Sequence, residues 1–333
     1  MKSIFSPSHN RHVKLGRRRP VAPSPRMPLS RYLRAALPTP PASCDFTAKA
    51  RSVLAMVYLN DQLGDCVIAG GYHIVGVETG NATGTPYVAT DAVLKADYHA
   101  IGGYVDGDPS TDNGCDEDTA INYWTSHGFA NGTKLLGSVS VDATNRQQVE
   151  LAVWLSEELI VCMELPDAFV NPFPAGDGFV WDVAGAPVPD NGHSVAIAGY
   201  NAQGVIVITW GMIGIITWAA LAKYAKPSAG GSCNMVLSPD QVAKGQTKAP
   251  NGIAWHDIVV DCDDLGMHVP VPPSPAPPAP TPPSPAPTPT ALGYDACVAA
   301  VQAGLKGSGL RLMYEGTAEH YAIAGLKKAF GHV

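Results

Sequence analysis

The chain has 333 residues, of which 46% are apolar and 15% charged, with 34 glycines and 30 prolines. This is ample for a core in one large domain or two ordinary ones, with long loops and linkers besides. The net charge of −7 is unevenly spread: no Asp or Glu precedes Asp45, so the first 44 residues carry +9 and the remainder −16. Such asymmetry predicts a basic tail on an acidic globule, either a solvated, disordered leader or an arm that contacts nucleic acid or an acidic partner surface. No apolar stretch of about 7–15 residues follows the first basic residues, so no secretory signal is expected. No run of about 18 apolar residues occurs, which argues against a membrane span. The expectation is a cytoplasmic or virion-associated protein whose sequons at Asn81 and Asn131 are unused.

In chain order, residues 1–44 read as a basic, Pro-rich, extended leader. A globular region follows over 45–266. Its first half predicts helices over 65–78, 90–103, 116–128 and 145–158, with Asp65 and Thr90 at helix starts and Gly128 closing the third. Its second half predicts strands over 159–165, 193–200, 204–210 and 214–221, which are β-branched runs bounded by Gly, Asn and Pro. Helices first and strands later define an α+β domain with segregated halves. Residues 267–291 are a Pro-rich linker suited to polyproline II, at about 3.1 Å per residue. Residues 292–333 predict a small helical C-terminal module, with Val298, Val301 and Leu305 on one face and Tyr321, Leu326 and Phe330 on another. A module of that size needs a partner to dock on.

The seven cysteines are irregularly spaced and contain no CxxC pair, so neither a zinc site nor any other cofactor is expected and the thiols should be reduced. The acidic stretch 106–118, with Asp106, Asp108, Asp112, Asp116, Glu117 and Asp118, does not fit a calcium-binding helix–loop–helix. A loop running into an acid-rich helix start explains it without a metal.

Cys66 closes the turn "NDQLGDC" and opens the first long predicted helix. Unpaired N–H groups at a helix start favour a thiolate, and a thiolate is a nucleophile if a base lies within reach. His193 is the best-placed base. It follows the loop "GAPVPDNG" and begins the strand "HSVAIAGY", where it can project from the sheet into a cleft facing Cys66.

Cysteine at the start of the long helix, then "GHSVAIAGY", then "VIVITWG", resembles the papain-like cysteine peptidases over about residues 50–240. The order "LPTPP", "NDQLGDC", "NGH", "TWG" is also similar to that of uncharacterised bacterial and phage proteins. The resemblance implies a two-part fold, with a helical half carrying the Cys and an antiparallel sheet half carrying the His. It further implies a Cys66–His193 pair acting on a peptide or protein substrate. The family places a Gln six residues before the Cys to help form the oxyanion hole; here Asn60 has that spacing and Gln62 lies four before. The family's His-orienting Asn, sixteen residues after the His, is replaced by Thr209. The reading is a thiol hydrolase, most simply a cysteine peptidase. The alternative is a catalytically weak or inactive structural or accessory protein of the same fold, such as a phage or prophage component. The leader is a candidate pro-segment across the cleft, although nothing in its composition requires that.

Overall fold

The computed structural model describes residues 2–7, 9–21, 24, 26–33, 39–239 and 241. The predicted linker and C-terminal module lie outside the described residues. The β-branched runs of the second half assemble into one eight-stranded sheet. Its strands are β3 (Cys44–Asp45), β4 (Gly137–Ser140), β5 (Leu159–Glu164), β6 (Val180–Trp181), β7 (Gly192–Tyr200), β8 (Gly204–Thr209), β9 (Met212–Thr217) and β10 (Ser232–Leu237). The order is β4-β10-β5-β7-β8-β9-β6, with β3 paired to β7, and every pairing is antiparallel except β6 with β9. All nine residues of β7 are buried, because both faces of the sheet are covered.

Side chains alternate across a strand, and β7 uses that alternation to join two cores. Val195 and Ile197 face a layer that contains α5 (Arg146–Ser156) and α6 (Trp218–Tyr224). Ala196 and Ala198 face the helical half: α1 (Arg51–Leu54), α2 (Cys66–Thr83), α3 (Asp91–Gly102) and α4 (Glu117–Ser126). Helix α2 is buried along most of its length and apolar all round, as expected of a helix wrapped on every side. Small residues let it approach the sheet. A Cβ placed on Gly70 would already lie 3.6 Å from the Ser194 Oγ.

The predicted α+β arrangement is observed, with Cys66 on the helical half and His193 on the sheet. Three local expectations differ. Residues 214–221 are not one strand: β9 ends at Thr217, whose hydroxyl accepts the Ala220 N–H and starts α6. Strands β4 and β10 were not anticipated, since "GSVS" and "SCNMVL" carry weak β signals. Asp65 sits at the cap position of α2, but its side chain makes no capping bond, because the carboxyl is turned into the interior.

The largest difference is the leader, whose described residues pack against the globule in part rather than standing apart from it. It belongs to the same structural unit as the globule, Met1–Pro272. Strands β1 (Ser3–Ser6) and β2 (Arg11–Lys14) form a hairpin, and Val13, Leu15, Leu29 and Tyr32 are buried in the sheet-side core. The cations meet carboxylates of the body: Lys2–Asp167, Arg11–Asp61, Lys14–Asp112, Arg17–Glu117, Arg19–Glu164 and Arg26–Asp118. The charge asymmetry is thus a complementarity within one chain, and local composition does not carry that information.

Candidate active site

Cys66 is the first residue of α2 and is 2% exposed. Burial pushes its thiol up to about 12, against the pull of the Ser194 and Gly16 backbone N–H groups and of Arg17. The lowering expected from a helix start is outweighed, because burial excludes water from the thiol. Contact with the Ser194 N–H places the thiol against the residue that follows His193.

His193 is fully enclosed, and burial lowers its imidazole to about 3. Nε2 lies 2.7 Å from the Thr209 hydroxyl, while Nδ1 has no hydrogen-bond partner. The ring stacks on Trp210 at a centroid distance of 4.2 Å and 21° between planes. Trp210 holds a left-handed backbone, φ 49°, costly for a bulky residue, and its indole N–H donates to the Lys14 carbonyl at 3.4 Å. Together these contacts fix the imidazole plane. In the tautomer where Nε2–H donates to Thr209, Nδ1 is free to accept a proton. With the thiol raised and the imidazole lowered by burial, both groups are neutral near pH 7, and His193 Nδ1 makes no hydrogen bond to the thiol.

The two oxyanion candidates are not equivalent. Asn60 is 2% exposed; its side-chain amide donates to the Leu63 carbonyl at 3.1 Å, and its own carbonyl accepts the Lys14 N–H. Gln62 is exposed. Asp65 is buried completely, and burial raises its carboxyl well above the usual range, opposed by its own N–H and the Asn60 amide. His73 lies elsewhere on α2, bonded to the Met56 carbonyl.

The leader, a candidate pro-segment from the sequence, supplies the groups that close the site, although the particular residues and their carboxylate partners were not paired there. It meets the Cys66 thiol at the Gly16 N–H and is joined to the body by an isolated parallel β-bridge between Arg17 and Cys115. The Cys115 N–H donates to the Gly16 carbonyl at 3.1 Å, and the Arg18 N–H donates to the Cys115 carbonyl at 3.0 Å. From the opposite wall, the Gly192 carbonyl accepts the Arg17 N–H at 3.1 Å. The slot is too narrow for side chains: a Cβ on Gly16 would fall 1.9 Å from the Gly64 oxygen, and one on Gly192 would fall 2.1 Å from the Arg17 oxygen. The acidic stretch 106–118 serves this closure. Asp112 accepts Lys14, the Gly64 N–H and the Tyr98 hydroxyl. Glu117 and Asp118 hold Arg17 and Arg26. Asp116 caps α4, and Asp106 pairs with Lys95. The signal available in the sequence was the match between leader cations and this run of acids.

No protein-family model matches the chain, and no curated protein is similar to it at a significant level. Among solved structures it is similar to xylellain, a cysteine protease from Xylella fastidiosa, at 11% identity and TM-score 0.48, covering 72% of this chain and 98% of that one. It is similar to digestive procathepsin L 3 of Tenebrio molitor larval midgut at 15% identity and TM-score 0.46, covering 66% and 75%. The cysteine protease and lectin-like domains of Cwp84, a surface layer associated protein of Clostridium difficile, match at 13% identity and TM-score 0.47, covering 67% and 57%. Likeness at this level extends to no activity; the chemistry is that of the side chains described above.

Proposed function

We propose that the protein is a thiol hydrolase, a cysteine peptidase acting by acyl transfer, held closed by its own leader. The observation that carries this reading is leader backbone bonded to Cys115 and Gly192 and meeting the Cys66 thiol at Gly16, while the same thiol meets Ser194, the residue after His193. A cleft built to grip main chain over a thiol suits a peptide substrate. Cys66 attacks the carbonyl and its proton passes to Nδ1 of His193, while Thr209 holds Nε2. The Cys66 N–H, which has no helical acceptor, and an amide from Gln62 or Asn60 serve the oxyanion. The imidazolium then protonates the leaving amine, and water hydrolyses the thioester.

Displacing the leader readmits water. That lowers the thiol and raises the imidazole from their buried values, so proton transfer between them becomes less costly. A second reading, an inactive accessory protein, is favoured by the commitment of the Asn60 amide to Leu63. The test incubates full-length wild type and Arg17→Ala with a mixed peptide library and reads products by mass spectrometry. Hydrolysis lost in both Cys66→Ser and His193→Ala supports the peptidase. Intact peptides in every sample sink it.

A further inference from the structure

The leader residue over the site carries its side chain into a pocket that belongs to the body. Arg17 pairs through its backbone with Cys115 and Gly192, and its guanidinium is buried, with 2% of the side chain exposed. Nε and Nη2 donate to the two oxygens of Glu117 at 2.8 and 2.7 Å, and Nη1 donates to the Gly230 carbonyl at 2.6 Å. The Ser232 hydroxyl donates to the same carboxylate at 2.7 Å and fixes its plane. Although burial acts to raise Glu117, Arg17 and Ser232 hold it below the usual carboxylate range. The pocket therefore contains a buried carboxylate and a backbone acceptor placed for a planar, forked cation.

None of these acceptors is part of the leader. Glu117 starts α4, Ser232 starts β10, and Gly230 lies in the turn before it. An extended polypeptide lying in the same backbone register presents a side chain to the same three groups. A neutral side chain leaves the Glu117 carboxylate buried and unpaired, which is strongly unfavourable. Lysine supplies a point charge and cannot satisfy two carboxylate oxygens and a carbonyl in one plane.

We propose that Glu117, with Ser232 and the Gly230 carbonyl, is an arginine-recognition pocket of the cleft, occupied in the closed protein by Arg17 and otherwise by an arginine of the bound polypeptide. This rests on the peptidase reading for its setting, but binding and cleavage are separable. Full-length Arg17→Ala, which vacates the pocket, is titrated by fluorescence polarisation with fluorescein-labelled LGRRRPV. A second peptide carries citrulline, the neutral isostere of arginine, at the position equivalent to Arg17. The expected result is at least tenfold tighter binding of the arginine peptide, and a preference near unity in Arg17→Ala/Glu117→Gln. Equal binding of the two peptides by Arg17→Ala, or binding of neither, overturns the proposal without recourse to the double variant. Mass spectrometry on the same samples reports hydrolysis separately. A preference without cleavage keeps the pocket and removes the peptidase; cleavage without preference does the reverse.

Discussion

Cys66 combines two opposed influences. A helix start and two backbone N–H groups favour the thiolate, whereas complete burial disfavours it, and burial wins. A thiol raised to about 12 is protonated throughout the neutral range, since the charged form appears only as pH approaches that value. In the intact chain at pH 8, Cys66 should therefore react with iodoacetamide roughly a thousandfold more slowly than a free cysteine of pKa about 8.5. Timed alkylation with peptide mapping measures this. Labelling at the free-thiol rate would show the sulfur to be solvated. His193 depends on a hydroxyl where the resembled family uses an amide. Thr209→Ala removes one hydrogen bond, worth about 0.5–1.5 kcal/mol, so kcat/KM should fall about three- to tenfold. Thr209→Asn should retain activity, because an amide oxygen can accept the same Nε2 proton. A fall in Thr209→Asn as large as in Thr209→Ala would mean that the site tolerates only the smaller side chain.

At the scale of elements, the leader and the sheet hold the site in different ways. Leader docking is electrostatic as well as apolar, and its pH dependence has a definite sign. Asp112 and Glu117 are held below their ordinary values, so their contribution is full above the unfolded carboxylate range, about 4, and is lost as pH falls through the lower folded values. Amide exchange at Arg17 and Arg18, corrected for intrinsic rates, should therefore stay slow at pH 6 and rise below about pH 4. Unchanged protection at pH 3 would assign docking to apolar burial alone. The α2–sheet contact relies on small residues. Ala198→Leu should cost about 1–3 kcal/mol in urea unfolding, because the added atoms have no room beneath the helix. The segregated halves, and the placement of Cys66 at a helix start and of His193 at a strand start, were legible because their signals are local: a glycine turn before a helix, and a β-branched run after an Asn-Gly. The α6 start was obscured because "TWAAL" continues an apolar run, and only the Thr217 cap separates helix from strand. A leader across the cleft was one reading of the sequence, but its particular ion pairs were not legible, because they join residues 2–26 to carboxylates at 61, 112–118 and 164–167 that no local window contains.

For the whole molecule, cations of the basic first segment pair with carboxylates between Asp61 and Asp167 within one structural unit. The closed form joins a neutral thiol, a neutral imidazole and a strap fixed at its centre by the buried Arg17–Glu117 pair. Exposed pairs such as Lys2–Asp167 add little to that fixation. Whether a competent Cys66–His193 nucleophile lies under this strap is read most directly from the pH dependence of Cys66 alkylation in full-length Arg17→Ala, with and without His193→Ala. Labelling at pH 6 should be faster than that of a free cysteine, and that advantage should be lost when His193 is replaced. Labelling in Arg17→Ala that follows an ordinary thiol titration and ignores His193→Ala would contradict this.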